Sequence, residues 1–362
     1  PEEQVVCGMS MGYADPDVNR AVLKAVEAGS IATLNAPEEV ELAQLLLKLH
    51  PWAKMARYAR TGGEAMAVAV RIARASTGRD KVAFCGYHGW HDWYLAANLA
   101  DNKNLDGHLL PGLEPKGVPR ALTGSALPFH YNRIEELERI AKKHKGELAA
   151  VVIETLRHQE PQNHFLQKVR KIAMRVGAVL IFDEISIGWR LNVGGAHLIY
   201  GVNPDIAVFA KAMSNGFPMA AIIGRGRVMN AAQESFISST YWTERIGPVA
   251  AIATIKKLRA RNVPRHLSKI GGMIMEGWRE LSEKHNLALT ILGPSPVPTF
   301  SFNYPKAQAV RTLFTQEMLK RGFLATVSVY VSWAHTPEHV KKYLEASDRV
   351  FKIIRKALDE KA

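Results

Sequence analysis

The sequence predicts an α/β protein, a mostly parallel sheet sandwiched by helices, followed by a small α+β unit at the C-terminal end. Three observations predict it. From Met55 to Gly224, short apolar runs alternate with stretches of helical periodicity, the order that builds a parallel sheet. Two of those runs, Ala178-Val179-Leu180-Ile181-Phe182 and Ile206-Ala207-Val208-Phe209-Ala210, are continuously apolar, as strands buried on both faces are. Beyond Gly247-Pro248 the character changes to long helices with strands near 299–302 and 324–332.

The elements follow in order. Asp15-Pro16-Asp17 supplies a cap and an early-turn proline for a helix over 18–28, stopped by Gly29. A second helix follows Pro37, with acids in its first turn and Leu42, Leu45, Leu46 and Leu49 on one face, and ends at Pro51. Next come a short strand at 56–59, a helix over 65–75, a strand at 81–85, and a long Gly- and Pro-rich loop over 101–126, a length that favours a functional role. Helix 133–145, strand 148–154, helix 165–176, strand 178–183, strand 206–210 and strand 219–224 complete the sheet, the direction of the last being open. Helices over 249–258 and from Pro264 through Leu281 form a connecting arm, helix 308–321 lies between the two late strands, and helix 337–357 closes the chain. The organisation expected is an N-terminal helical segment over 1–50, a large domain over 51–255, and a connecting helix with a small domain over 256–362.

At 362 residues, 47% hydrophobic and 22% charged, the chain has a globular composition and the length of more than one domain at about 150 residues each. Its apolar runs fall short of the roughly 18 to 20 residues that cross a bilayer, so no membrane partner is expected. Pro1-Glu2-Glu3-Gln4 is unlike a secretory leader, and the expected location is the cytoplasm. Cys7 and Cys85 lack metal-ligand spacing and read as reduced core residues; no metal is expected. The net charge of +13 raises the question of nucleic acid, but the basic residues are dispersed along amphipathic helices without interleaved aromatics, so an anionic substrate or cofactor accounts for them better.

Asp183 and Lys211 each follow a run of apolar residues and therefore fall at the C-terminal ends of buried strands, where open α/β sheets bind ligands. Apolar surroundings favour the neutral amine of a lysine, the form that condenses with an aldehyde, and a nearby carboxylate suits a pyridinium nitrogen. A plainer reading stands beside this one, since strands often end in a charge at the sheet edge. Thr61-Gly62-Gly63 between a strand and a helix makes a phosphate cradle, with glycines that let the backbone approach and free N–H groups at a positive helix end. Glycine turns before helices are common, however. Tyr87-His88 after the next strand offers a ring to stack on a flat cofactor, or else a half-buried pair at a strand end.

Taken together, Thr61-Gly62-Gly63-Glu64-Ala65, Tyr87-His88-Gly89, Asp183-Glu184-Ile185-Ser186-Ile187-Gly188-Trp189-Arg190, Asn203-Pro204-Asp205 and Lys211 resemble the class III aminotransferases of fold-type I, most closely the glutamate-1-semialdehyde aminomutase branch. The resemblance covers nearly the whole chain. It implies the fold-type I architecture with a sheet of the seven-stranded type, and pyridoxal 5'-phosphate as cofactor. By that resemblance Lys211 forms the Schiff base and shuttles the proton, and Asp183 pairs with the pyridinium nitrogen. Tyr87 stacks on the ring with His88 beside it, and Thr61, Gly62 and Gly63 hold the phosphate. Thr243, five residues before Pro248, reaches the phosphate of the partner subunit, with Thr240 as the other choice, so a homodimer with shared active sites is implied. Glu154 and Ser186 are further motif positions at the site.

The reaction implied is transfer from a small-molecule amino donor to a carbonyl acceptor through pyridoxamine phosphate. An intramolecular 2,1-aminomutase is the first alternative and a catalytically silent scaffold the second. Departures from the family pattern gather on the substrate side. Gly63 replaces a phosphate hydroxyl, Glu154-Thr155 replaces Glu-Pro, Leu156-Arg157-His158-Gln159-Glu160 is unfamiliar, and Trp242, Glu244 and Arg245 replace small residues. The family's N-terminal covering segment is not found ahead of these motifs, so Pro1 is not expected to be the natural start.

Overall fold

The computed structural model describes residues 9–108 and 111–360. Cys7 and the first part of the opening loop lie outside the described residues. Seven strands form one sheet: β1 (Met55–Ala59), β2 (Lys81–Cys85), β3 (Ala126–Pro128), β4 (Leu148–Glu154), β5 (Val179–Asp183), β6 (Ile206–Phe209) and β7 (Ala220–Gly224). Their spatial order is β1-β7-β6-β5-β4-β2-β3. β2 to β6 pair in parallel, while β7 is antiparallel to both neighbours. That settles the direction the sequence left open. The stretch 210–219 between β6 and β7 is shorter than the roughly dozen residues a parallel crossover requires.

β4 and β5 are buried along their whole length because helices cover both faces of the sheet. Successive side chains alternate between those faces: Val152, Ile181 and Val208 pack with Ala65, Met66 and Ala69 of helix α3 (Gly62–Thr77), the helix after α1 (Pro16–Glu27) and α2 (Pro37–Leu49), and Val151, Leu180 and Phe182 pack with Leu137 and Val169 of the helices Ile134–Lys143 and Phe165–Val176. A third core joins Leu42 and Leu46 to Phe209 and to Trp278, Phe300, Phe314 and Phe351, with ring centroids of Trp278 and Phe300 4.8 Å apart. It links helix Pro37–Leu49 with the C-terminal helices Val263–Lys284, Ala307–Lys320 and Pro337–Asp359. Residue 256, where the sequence reading places the domain junction, lies inside helix Ile246–Ala260.

Two expectations need correction. The late strand β9 (Thr299–Phe302) pairs antiparallel with β8 (Leu289–Leu292), a strand the sequence reading did not identify. The stretch 324–332 is extended but makes only an isolated bridge, Ser328 to Thr299. Val329 and Val331 donate their N–H groups to the carbonyls of Pro298 and Pro296, and those prolines have no N–H to return, so the ladder cannot continue. The loop 101–126 contains, among its described residues, a 3-10 turn at Arg120–Leu122 before β3. Cys85 is a free, buried thiol whose pKa burial pushes up.

Asp205 ties the start of β6 to β5. It is 2% exposed. Its carboxylate accepts from Leu180 N at 3.0 Å, from Arg170 Nη1 at 2.6 Å and Nη2 at 3.2 Å, and from Arg227 Nη2 at 2.8 Å. Burial opposes the charge, yet the Arg170 fork, the Leu180 N–H and Arg227 hold the Asp205 carboxyl below its ordinary range. A depressed carboxylate stabilises the fold fully above the unfolded value of 3.8, and that contribution is lost as pH falls through the lower folded value. Asp205→Asn is therefore expected to cost about 2 kcal/mol at pH 7, with the gap from wild type closing below about pH 4. Urea midpoints at pH 7 and pH 3 check it; an equal gap at both would show that the charge contributes nothing.

Candidate active site

A cavity of about 290 Å³ lies where the ends of β5 and β6 meet the N-terminus of α3. Asp183 ends β5, is 4% exposed and lines the cavity. Its Oδ1 accepts from Ile185 N at 3.0 Å, and Oδ2 faces His88 Nδ1 at 2.8 Å. The other imidazole nitrogen, Nε2, faces the Cys85 carbonyl at 3.0 Å. Both partners of this buried ring are oxygens, so the imidazole is held between the end of β2 and the Asp183 carboxylate.

Lys211 lines the same cavity, half-buried, and its Nζ donates to Ser186 Oγ at 2.7 Å. The sequence places Lys211 directly at a strand end, but β6 stops at Phe209 and Lys211 opens the 3-10 turn Lys211–Met213. Its φ of 48° is left-handed, a conformation that costs a residue with a Cβ about 1 to 2 kcal/mol. Such strain persists where the surrounding structure dictates the backbone, often at functional sites.

Gly62 and Gly63 begin α3 and line the cavity, and the first N–H groups of a helix have no intrahelical partner. A Cβ on Gly63 would stand 3.0 Å from the His91 ring, and one on Gly89 would stand 3.0 Å from Gly63 Cα, so close packing keeps this cradle free of side chains. Thr61 is exposed and caps the helix, its Oγ1 accepting from Glu64 N at 3.4 Å. Glu64 Oε2 in turn accepts from Arg60 N at 2.8 Å and braces the helix start, as its position suggests. Tyr87 lines the cavity, with its backbone N–H held by Glu154 Oε2 at 3.0 Å.

The structure therefore brings together Gly62, Gly63, Tyr87, Asp183, Ser186 and Lys211. The other expected residues lie elsewhere. His88 sits behind Asp183 rather than in the lining, because its ring is spent on Asp183 and Cys85. Glu154 pairs in register with Asp183 but borders a neighbouring cavity. Thr240 is exposed, and Thr243 Oγ1 donates to the Ala32 carbonyl at 2.5 Å within its own chain. Residues the sequence reading missed include Arg60, Trp90, Phe217 and Met219 in the lining. Arg60 precedes Thr61-Gly62-Gly63 and Trp90 follows Gly89, so adjacency to the motifs was the available signal. Arg60 also holds the segment before Pro248, donating to Trp242 O at 3.3 Å and Glu244 O at 2.9 Å.

Beneath the site, Glu184 anchors the loop after β5. It is fully buried and accepts from Thr155 Oγ1, Ala196 N and the N–H and Nδ1 of His197, all at 2.8 to 2.9 Å. Burial opposes its charge, but the His197 contacts and the Ala196 N–H hold its pKa below the usual carboxylate range. Trp52 Nε1 donates to His197 Nε2 at 3.0 Å, which fixes the proton of that imidazole on Nδ1.

A carboxylate, an amine, an aromatic ring and a glycine-lined helix N-terminus in one cavity suit an enzyme that carries a phosphorylated pyridine aldehyde. The profile of the family described as Aminotransferase class-III matches residues 5–351, and the chain belongs to that family. It is 29% identical over 361 residues to 3-aminobutyryl-CoA aminotransferase of Cloacimonas acidaminovorans, covering 96% of this chain and 83% of that protein. It is 31% identical over 369 residues to glutamate-1-semialdehyde 2,1-aminomutase of Methanothermobacter thermautotrophicus, covering 94% of this chain and 84% of the relative. Among solved structures, the FumI protein of Sphingopyxis sp. MTA144 in its PLP internal aldimine form superposes with a TM-score of 0.87 at 25% identity, over 97% of this chain and 83% of that one. The fold is fold-type I and the protein is a pyridoxal 5'-phosphate-dependent aminotransferase of class III.

Proposed function

We propose that the cofactor occupies the cavity between Asp183, Lys211, Tyr87 and the start of α3, and that this protein transfers amino groups between separate donor and acceptor molecules. The placement of Lys211 Nζ and the Asp183 carboxylate in one lining is the observation that carries this reading. When bound, the cofactor supplies a carbonyl that takes up an amine and a ring that delocalises the electron pair left by a departing Cα proton. Lys211 Nζ is the amine that anchors it and later takes and returns the Cα proton; Ser186 Oγ, 2.7 Å away, orients that amine. Asp183, locked by His88 and the Ile185 N–H, holds a positive ring nitrogen. Tyr87, in the same lining, would hold the ring by stacking. The free N–H groups of Gly62 and Gly63 receive the phosphate, with the Thr61 hydroxyl beside them.

The reading includes a cytoplasmic homodimer in which Thr243, or else Thr240, completes the partner's phosphate site. Its support is an apolar surface beside that segment: Ile31, Leu34 and Tyr241 are 49%, 79% and 62% exposed, and Ile31 bridges Glu244. The 2,1-aminomutase is the alternative, since it would use the same residues. A half-reaction with one amino donor decides between them. The expected result is stoichiometric release of a carbonyl product with loss of the visible cofactor band; isomerisation of an amino aldehyde without any donor would overturn the transferase reading.

A further inference from the structure

A second cavity, of about 280 Å³, lies on the same sheet edge between the ends of β2 and β4. It is one strand removed from Asp183, whose register partner Glu154 stands in its wall. The backbone at 86–87 separates the two cavities: Gly86 lines the second and Tyr87 the first. The segment Leu156–Glu160, which departs from the family pattern and which the mechanism above does not use, folds over this second cavity and contributes Arg157, His158 and Gln159 to its lining.

Two side chains there carry N–H groups without acceptors among the described residues. Arg157 has 36% of its side chain exposed, and only its Nη1 has protein partners among the described residues, Glu154 Oε2 at 3.2 Å and His108 O at 3.3 Å. His108 is 7% exposed, and its Nδ1 accepts from Gly86 N at 3.2 Å. The proton of this imidazole therefore sits on Nε2, which is buried and meets no partner among the described residues. An unpaired buried N–H costs about 1 to 3 kcal/mol, a cost that a bound acceptor removes. The one carboxylate in the lining, Glu154, is already engaged by Tyr87 N and Arg157. The Arg157 guanidinium lies 6.0 Å from the centre of the Tyr87 ring, so its charge is carried to the border of the first cavity.

We infer that this second cavity binds an anionic oxygen group, a carboxylate or a phosphate, at the far end of the amino donor or the carbonyl acceptor, with Arg157 as the charged contact and the His108 Nε2–H as the second donor. The inference rests on the first cavity being the cofactor site. It makes the substrates acidic at a position remote from the reacting nitrogen, and it assigns that selection to the segment 156–160.

The test is calorimetric titration of the holoenzyme with two probes, glutarate and inorganic phosphate, which separate the carboxylate from the phosphate. At least one is expected to bind. Arg157→Met should weaken that binding at least about tenfold and Arg157→Lys by less, with the visible cofactor band kept in both variants. Binding of neither probe, or equal binding to wild type and Arg157→Met, overturns the inference, as does loss of the band in both variants, which would place Arg157 in cofactor retention instead. A wild-type protein without any cofactor band fails the reading of the first cavity alone, and the titration still decides this one.

Discussion

Lys211→Ala is expected to abolish transamination, with kcat reduced by at least about 10⁴-fold, the upper end of what a single acid–base group supplies. The substitution removes the amine that touches Ser186 Oγ, and among the described residues no other lysine lines that cavity. Two measurements check it. Borohydride should fix the cofactor onto the wild-type chain at Lys211 and leave the variant unlabelled, while circular dichroism shows the fold retained. Covalent fixation to the variant at the wild-type level would sink the assignment. An added small primary amine should restore part of the lost rate, because the cavity keeps its shape when only the side chain beyond Cβ is removed.

Asp183→Asn is expected to have the next largest effect, lowering kcat by about 10²- to 10³-fold, the range for loss of one preorganised electrostatic contact. Asparagine preserves the shape and the contact with Ile185 N but not the charge. Without that charge a protonated ring nitrogen has no counter-ion, and His88, 1% exposed, loses the carboxylate oxygen that its Nδ1 faces. Cofactor affinity should fall with the rate, read as the concentration of pyridoxal phosphate that half-restores the visible band. Stability should fall by about 1 to 3 kcal/mol through His88 alone, since a buried donor is left poorly matched. Unchanged kcat in Asp183→Asn would remove Asp183 from the chemistry and leave it a structural acid.

The inner strands were legible because they are continuously apolar: β4 and β5 occur where Leu148–Glu154 and Val179–Asp183 lack polar residues until their last position. The direction of β7 was not, since pairing direction depends on connection length and neighbours rather than on the run Ala220–Gly224 itself. Asp183, Lys211, Tyr87, Gly62 and Gly63 were legible as a set because each ends or closely follows a strand at the same sheet edge. His88 was ambiguous in the sequence, and only the fold reveals that its two nitrogens are divided between Asp183 and Cys85. Arg157 could be flagged as unusual in its motif but not located, because its partners Glu154 and His108 come from β4 and the long loop after β2. The ladder that fails at Pro296 and Pro298 shows the reverse case, in which an extended run such as 324–332 satisfies strand propensity but receives one N–H, from Phe300 to the Val327 carbonyl, and then meets two prolines with none to return.

The left-handed backbone at Lys211 has a bearing on how this protein can change over time. Glycine and asparagine occupy that conformation with less strain than lysine, and neither carries an amine. The folded chain can therefore become more stable by losing its chemistry at this one residue. A duplicated copy released from selection for turnover would meet no folding barrier on the way to a silent, well-packed relative, and the lysine persists only where catalysis itself is selected.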